Sequence, residues 1–258
     1  MTIFTAAIDT DLKLEMQMQI KDTTAFVTGA NRGIGRAIIN SLLQQGAAKV
    51  YATARDQVGL DAIAKIGDAR ITPVRLDITD PAQATQAASQ ADDVKLLINN
   101  AGSLTLGPIL QATPEDLRAN METNYFGTLN VTRAFAPVIA KIGGGAIVNQ
   151  LSIVALASMP GLAAYNASKA AAWSMTQSIR ADLSAQNIAV HGVYPGPVDT
   201  DMTRVFDVPK ASPESVAQAI LAGVQAGVED IFPDDVSRGA YEAWCQDHKA
   251  VEAQFAQM

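Results

Sequence analysis

Tyr165 and Lys169 lie four residues apart in the segment Tyr-Asn-Ala-Ser-Lys, and this pair could perform acid–base chemistry. A phenol normally releases its proton near pH ~10, so it transfers protons poorly at neutral pH unless its anion is stabilised. If the segment is helical, residues i and i+4 project from the same face and bring the ammonium group close to the phenol. An opposite charge a few ångströms away favours the phenolate, so we expect Lys169 to lower the pKa of Tyr165.

The elements that must position this pair alternate between short apolar runs and segments with helical spacing. The runs rich in β-branched and apolar residues predict strands at 24–28, 49–54, 71–76, 94–99, 146–151, 188–194 and 228–232. Thr113-Pro114 and Ser212-Pro213 are typical of helix starts, and the first of these helices should continue to the glycines at 143–145. The pattern predicts an α/β fold: a doubly wound parallel sheet of about seven strands in a single domain, with its ligand crevice at the carboxyl ends of the strands.

A glycine turn, Thr28-Gly29-Ala30-Asn31-Arg32-Gly33-Ile34-Gly35, follows the first predicted strand. Its glycines permit positive φ angles and close approach of the backbone, and the helix that starts near Ile34 directs its amide groups at an anion. The expected guest is the pyrophosphate of a dinucleotide. The spacing Gly-x3-Gly-x-Gly differs from the Gly-x-Gly-x-x-Gly fingerprint, so a glycine-rich turn without a ligand is the alternative.

The end of the second predicted strand, Ala52-Thr53-Ala54-Arg55, indicates which dinucleotide binds. An acid at Ala54 would bind a ribose 2′-hydroxyl and repel a 2′-phosphate, but that acid is missing. Arg55 can bind a phosphate with its planar guanidinium group, together with Arg32 of the glycine turn. We therefore expect NADP(H) rather than NAD(H). Asp56 argues the other way, because a shift of one register would let it serve as the acid.

From about Thr23 to Met202 the chain resembles the short-chain dehydrogenase/reductase family. An ordered set of motifs carries the resemblance: TGxxxGxG at 28–35, Asp77-Ile78 after the third strand, Asn99-Asn100-Ala101-Gly102 at the end of the fourth, Asn124, Ser152, Tyr165 with Lys169, and Pro195-Gly196-Pro197-Val198-Asp199-Thr200. It implies a Rossmann-type fold, a nicotinamide dinucleotide cofactor and reversible reduction of a carbonyl group by hydride transfer.

The resemblance also implies a role for each residue of these motifs. Tyr165 would exchange a proton with the carbonyl oxygen as general acid or base, and Ser152 would hydrogen-bond the same oxygen. Lys169 would stabilise the phenolate and bind the nicotinamide ribose, and Asn124 would hold a water of the proton relay. Cofactor contacts are implied at Gly29, Asn31, Arg32, Gly33, Ile34, Gly35, Arg55, Asp77, Ile78, Asn100, Ala101, Gly102, Tyr165, Lys169, Pro195, Gly196, Val198 and Thr200.

Three segments should cover the crevice, at 103–109, 153–162 and 198–208, and they carry few charges. Their apolar side chains are Leu104, Leu106, Ile153, Val154, Leu156, Met159, Met202, Val205 and Phe206. Such a pocket suits an uncharged ketone or aldehyde, whereas Arg204 or Lys210 would instead favour a carboxylate. Two other classes stay open: a redox sensor that binds the dinucleotide with little turnover, and an enzyme of the family that catalyses epimerisation, dehydration or enoyl reduction.

The composition excludes other function classes. A formal net charge of -7 without runs of Lys or Arg argues against a nucleic-acid partner. No apolar run approaches the ~20 residues that cross a bilayer, residues 1–21 lack the pattern of an export signal, and the single cysteine, Cys245, fits a reducing compartment. We expect a cytoplasmic protein without a metal site, with an N-terminal extension at 1–21 and one domain at 22–258. The resemblance implies a homo-tetramer or homo-dimer built on the long helices.

Overall fold

The computed structural model of the chain describes residues 18–258. Its strands are β1 (Thr24–Val27), β2 (Lys49–Ala54), β3 (Ile71–Arg75), β4 (Leu96–Asn99), β5 (Gly145–Gln150), β6 (Ile188–Val193) and β7 (Asp230–Ile231). They form one sheet of parallel strands in the order β3-β2-β1-β4-β5-β6-β7. The helices are α1 (Gly33–Gln44), α2 (Gln57–Ala64), α3 (Pro81–Gln90), α4 (Pro114–Met121), α5 (Thr128–Lys141), α6 (Ala163–Leu183), α7 (Pro213–Gln225), α8 (Asp235–Gln246) and α9 (His248–Phe255). The predicted α/β fold with a doubly wound sheet of seven strands in a single domain is confirmed.

Each predicted strand is present, and only the strand ends differ from the prediction. β2 has the predicted bounds, while β7 is two residues long where the apolar run predicted five. β7 pairs only with β6, at the edge of the sheet, and Pro233 follows two residues after it. Proline has no amide hydrogen with which to extend a ladder, so the apolar run overstates the length of this strand.

Alternating strand residues divide the core into two layers, one on each face of the sheet. Successive side chains of a strand point to opposite faces. In β1, Val27 therefore packs with Ile38 and Leu42 of α1 and with the apolar face of α7. Phe26 points the other way and joins the layer formed by α3, α5 and α6. Both faces are covered, which is why the strand sequences are almost continuously apolar.

The end of the predicted N-terminal extension is part of this core. Met18 and Ile20 are buried among the side chains of the α1 layer. The rest of the predicted extension, residues 1–17, lies outside the described residues. Among residues 18–258, no helix combines the length and the apolar character needed to cross a bilayer.

The long helix predicted from Thr113 to the glycines at 143–145 contains one irregular stretch. Thr113 caps α4 as expected, since its hydroxyl accepts a hydrogen bond from the Asp116 amide. Residues Glu122–Gly127 are π-helical and connect α4 to α5. Gly127 has Ile78 so close that a Cβ atom would lie 2.7 Å from its side chain. A glycine inside a helical pattern was the signal for this irregularity, and π-helical turns occur often at functional sites.

A buried chain of side-chain hydrogen bonds joins the two central strands to the helices behind them. The Asn99 amide donates to Thr132 at 3.0 Å and to Asn149 at 2.9 Å. The Asn149 amide in turn donates to Thr176 at 3.1 Å. β4 and β5 are thereby fixed to α5 and α6. α6 carries Tyr165 and Lys169, and the π-helical stretch that carries Asn124 leads directly into α5.

Replacing Asn149 with alanine should lower the free energy of unfolding by about 1–3 kcal/mol, because it leaves buried polar groups of Asn99 and Thr176 with fewer partners. Urea unfolding followed by circular dichroism measures this change. Thr85→Ala is the matched control: it removes a hydroxyl from the exposed face of α3, where the hydrogen bond is local. Equal losses for the two variants would contradict a specific role of the buried network.

Candidate active site

The glycine turn meets the end of β4 at the carboxyl edge of the sheet, where the strand order reverses between β1 and β4. Gly29 has a φ of 62°, and a Cβ atom there would lie 2.9 Å from the Ala101 Cα atom. A Cβ atom at Gly35 would lie 2.3 Å from the Gly29 carbonyl oxygen. Only glycine allows the backbone to approach this closely. This crevice, at a topological switch point, is the expected place for a dinucleotide.

Thr28 fixes the two sides of the crevice to each other. Its hydroxyl accepts hydrogen bonds from the backbone amides of Asn100 at 2.9 Å and Ala101 at 3.0 Å. The Asn100 side chain donates to the carbonyl oxygens of Thr28 and Gly29 at 3.0 and 3.1 Å. Asn100 and Ala101, both predicted cofactor residues, are therefore held against the glycine turn. Thr28 was missing from the predicted site residues, although a threonine directly before the first glycine was the available signal.

The start of α1 has the features of an anion site. Its N-cap residue, Arg32, makes no side-chain hydrogen bond to the first amides of the helix, whereas α2 and α3 are each capped by an aspartate. Uncapped amides at the positive end of a helix dipole favour a negatively charged group. Gly33, with a φ of 52°, lies close to the Thr200 side chain, so the glycine turn also borders the predicted Pro195–Thr200 turn. These residues fit the pyrophosphate of a dinucleotide.

Tyr165 lies in the first turn of α6, with Ser152 as the neighbour of its hydroxyl. Ser152 follows β5, and its hydroxyl is near enough to the phenol to favour the phenolate and lower the pKa of Tyr165. Burial has the larger effect and raises the pKa of Tyr165 to about 12. The expectation that Lys169 lowers this pKa is therefore wrong for the chain without a ligand. At neutral pH the phenol carries its proton.

Lys169 is buried one helical turn beyond Tyr165. Its ammonium group donates to the carbonyl oxygen of Gln150 at 2.6 Å and lies 5.5 Å from the centre of the Tyr165 ring. Burial lowers the pKa of Lys169 to about 8. The spacing argument correctly placed the ammonium group near the Tyr165 ring, and the hydrogen bond to Gln150 holds that group at the end of β5. Gln150 was not predicted, and its contribution is a backbone oxygen that no residue type could reveal.

Asn124 lies in the π-helical stretch, and its side chain makes three hydrogen bonds. Its amide nitrogen donates to the Ser103 carbonyl at 2.9 Å and to the Ser168 hydroxyl at 2.8 Å, and its oxygen accepts from the Ser103 amide at 2.9 Å. The side chain thus ties α6 to the segment that follows Gly102. The oxygen accepts one hydrogen bond and has a second lone pair, so binding a water through this side chain stays a prediction.

The residues predicted to select the dinucleotide have different partners in the structure. Arg55 is exposed at the carboxyl end of β2, and the Asp56 carboxylate caps α2 by accepting from the Gly59 amide at 2.8 Å. Asp56 is thus already used by the helix. Arg32 forms an exposed ion pair with Asp201 at 3.2 Å. Joint binding of a 2′-phosphate by Arg55 and Arg32 stays a prediction.

The remaining predicted cofactor residues line the same edge of the sheet. Asn31 lies beside Gly59 and Ala54, at the end of β2. Asp77 and Ile78 follow β3, and the Asp77 carboxylate accepts from the Thr79 amide at 3.0 Å. Pro195, Gly196 and Val198 follow β6, where the Gly196 amide donates to the Asp234 carboxylate at 2.9 Å. Ile34 and Gly102 complete the set, in α1 and after β4 respectively.

Tyr165 packs against an apolar cluster. Six of the predicted pocket residues belong to it: Leu104, Ile153, Val154, Leu156, Met159 and Phe206. Three others, Leu106, Met202 and Val205, are exposed by 51%, 38% and 67% and lie outside the cluster. Arg204 and Lys210 instead line a cavity of about 390 Å³ beside Gly33 and Thr200, where charged side chains predominate. The surroundings of Tyr165 are therefore apolar, but fewer of the predicted pocket residues contribute to them than expected.

Comparison with known proteins agrees with this geometry. The family profile described as short chain dehydrogenase matches residues 23–209. The chain belongs to the short-chain dehydrogenase/reductase family. It is an oxidoreductase of that family, whose members bind a nicotinamide dinucleotide. The predicted family is confirmed.

Two curated relatives and one solved structure illustrate the similarity. The chain is 31% identical to a 3alpha-hydroxysteroid dehydrogenase of Mediterraneibacter gnavus over 220 residues, which are 82% of this chain and 86% of the relative. It is 32% identical to a cyclopentanol dehydrogenase of a Comamonas species over 226 residues, 79% of this chain and 90% of the relative. A crystal structure of a short chain dehydrogenase from Burkholderia cenocepacia J2315 in complex with NADP is similar with a TM-score of 0.87 and 42% identity, covering 92% of this chain and 99% of that one.

The lowered pKa of Lys169 predicts how stability depends on pH in the protein without cofactor. Between pH 8 and its ordinary value of 10.5 the unfolded chain holds a proton that the folded chain has released, so stability should rise with pH. The gain from this residue is at most about 3 kcal/mol. Urea unfolding from pH 7.5 to 9.5 should therefore show a steeper rise for the wild type than for Lys169→Met. Lys65→Met, at the exposed end of α2, is the control and should keep the wild-type slope.

Proposed function

We propose that this protein is an NADPH-dependent oxidoreductase that reduces an uncharged ketone or aldehyde to an alcohol, reversibly, with Tyr165 as the general acid and base. The observation that carries the proposal is the placement of the protonated Tyr165 phenol beside Ser152, under an apolar cluster and one turn from a buried lysine. The names of the two relatives, a hydroxysteroid and a cyclopentanol dehydrogenase, support a secondary alcohol or ketone attached to an apolar body.

The proposed mechanism divides the work between Tyr165 and Ser152. A bound nicotinamide dinucleotide supplies the hydride. Tyr165 donates its proton to the carbonyl oxygen, and Ser152 donates a hydrogen bond to the same oxygen, where negative charge develops. In the direction of alcohol oxidation Tyr165 removes the hydroxyl proton. Because Tyr165 is protonated at neutral pH in the chain without ligand, it begins the cycle in the form required for reduction.

Lys169 supports the phenolate that Tyr165 becomes after proton transfer. An ammonium group 5.5 Å from the ring centre, in a buried environment, interacts with the new charge much more strongly than it would in water. An ammonium group has three donors, and the Gln150 carbonyl occupies one of them. The other two are available to the ribose hydroxyls of the nicotinamide half, and Gly102 leaves room beside Lys169 because a Cβ atom there would lie 3.8 Å from its nitrogen.

The preference for NADPH rests on the end of β2. Ala54 offers no carboxylate to a ribose 2′-hydroxyl, and the Asp56 carboxylate is used to cap α2. Arg55 is exposed at the edge where a 2′-phosphate would lie and can bind it with a bidentate guanidinium group. The similar Burkholderia cenocepacia structure contains NADP, which agrees with this assignment.

Two further expectations stay predictions. A homo-tetramer or homo-dimer built on the long helices is implied by the family, and Phe126, 43% exposed on the π-helical stretch, is an apolar residue available to such a contact. Sedimentation velocity would measure the assembly. A cytoplasmic location is expected from the lone cysteine, which fits a reducing compartment.

Tyr165→Phe should lower kcat for ketone reduction by at least about 100-fold, because it removes the proton donor, while leaving NADPH affinity within a few fold. The decrease of NADPH absorbance with a panel of uncharged ketones measures kcat, and fluorescence titration measures NADPH affinity. Tyr51→Phe removes a phenol hydroxyl that donates to Asp93, before the start of β4, and serves as the control. Unchanged turnover in Tyr165→Phe would remove this residue from the mechanism, and wild-type binding of NADPH without turnover of any carbonyl would favour a sensor.

Arg55→Asp should reduce kcat/KM for NADPH by about 100-fold or more and change kcat/KM for NADH much less, because a carboxylate repels the 2′-phosphate and accepts hydrogen bonds from a 2′-hydroxyl. Steady-state kinetics with both cofactors measure the ratio. Lys65→Asp introduces the same change of charge at the opposite end of α2 and should leave the ratio unaltered. An equal loss with both cofactors would overturn the assignment of Arg55.

A further inference from the structure

The C-terminal helices α8 and α9 pack against the candidate active site of the same chain. Val251 and Phe255 of α9 are exposed by only 3% and 5%. Both belong to the apolar cluster formed by Ile153, Val154 and Leu162, the residues that follow Ser152 or precede Tyr165. A segment that could not be placed from the sequence therefore covers the residues around the reacting groups.

The same cluster contains residues of α8 and α9 and residues of the three segments expected to cover the crevice. Tyr165 packs on this cluster together with Leu104 and Phe206, which come from the two other crevice segments. Trp244 of α8 packs on it as well. The C-terminal helices and the candidate catalytic tyrosine thus contact the same apolar cluster.

Two contacts hold α8 rigidly in this place. Its N-cap residue, Asp234, accepts hydrogen bonds from the Ser237 amide at 2.8 Å and from the Gly196 amide at 2.9 Å, so α8 begins on the predicted cofactor turn. A stack of aromatic rings continues from there: Phe232 and Tyr241 have ring centres 4.1 Å apart, and Tyr241 is 6.3 Å from Trp244. A wall anchored in this way can impose a size limit on a ligand.

The packing between the helices and the site is incomplete. A cavity of about 260 Å³ lies between them, lined by Leu156, Ala157, Ser158, Trp244, His248 and Glu252. Leu156 belongs both to this cavity and to the cluster beside Tyr165. The cavity is therefore contiguous with the apolar region and has room for part of a small organic molecule.

We propose that α8 and α9 form the distal wall of the substrate pocket, with Phe255 and Trp244 limiting the size of the apolar group that the carbonyl compound carries. This inference rests on the proposed function. The substrate class that follows is an uncharged carbonyl compound with a compact apolar body, whose far end points towards the cavity between α8, α9 and residues 156–158. Neither Trp244 nor Phe255 takes part in proton transfer, so their effect is on substrate choice.

The test compares a small cyclic ketone with a larger aryl ketone, both uncharged, in steady-state kinetics with NADPH. Phe255→Ala removes the aromatic ring that α9 contributes to the apolar cluster and should raise the ratio of kcat/KM for the larger over the smaller ketone by about 10-fold or more, mainly through KM. Phe255→Leu should change the ratio in the same direction by less, and it keeps the test available if the alanine variant does not fold. Leu183→Ala is the matched control. It truncates a buried residue in the core layer formed by α3, α5 and α6, and it should leave the ratio unchanged.

A binding measurement separates this inference from the proposed function. The chain has two tryptophans, so Trp173→Phe leaves Trp244 as the only one. Adding the larger ketone to this variant should quench or shift its fluorescence, whereas a dianionic carboxylate of similar size should not. If the wild type reduces neither ketone but the fluorescence of Trp244 still changes, the proposed function is wrong and the assignment of α8 and α9 to the ligand pocket is supported. The inference would be overturned if folded Phe255→Ala and Phe255→Leu reduce both ketones with the wild-type ratio of kcat/KM and the fluorescence of Trp244 does not change.

Discussion

The hydrogen bond between the buried Lys169 ammonium group and the Gln150 carbonyl, at 2.6 Å, is the constraint on which the rest of the site depends. A buried charge is costly unless it is hydrogen-bonded, so α6 must dock with this lysine at the end of β5. That docking places Tyr165, one turn earlier on α6, beside Ser152, which follows β5 by two residues. It also leaves Lys169 with donors free for a ligand, close to Gly102 at the end of β4.

The polar groups around this contact hold the neighbouring elements in register. Asn124 connects α6 to the segment after β4, and the buried hydrogen bonds of Asn99 and Asn149 connect β4 and β5 to the helices behind them. On the other side of the crevice, Thr28 ties the glycine turn to β4. Groups that must act together are thus fixed by short hydrogen bonds at the carboxyl edge of the sheet, while the apolar layers on its two faces supply most of the stability.

The electrostatics of the site follow from burial more than from spacing. Lys169 and Tyr165 were expected to interact because they lie on one helix face, and the expected direction was a lowered pKa of Tyr165. In the chain without a ligand, burial raises the pKa of Tyr165 and lowers the pKa of Lys169, which moves both groups towards their neutral forms. Surroundings of low dielectric constant disfavour the charged form of both groups. Two opposite charges offset this penalty only when they lie close to each other.

The amino-acid sequence by itself determined the fold class, the strand positions and the set of residues at the carboxyl edge, because alternation of apolar runs, glycine spacing and ordered motifs are local properties of a chain. Only the tertiary structure decided that the Lys169 ammonium group meets the Gln150 backbone oxygen and that Arg32 pairs with Asp201. It also decided the position of the C-terminal helices over the cluster at Tyr165. These features are contacts between segments far apart in the chain, and residue types do not encode which partner a polar group or an apolar face will meet.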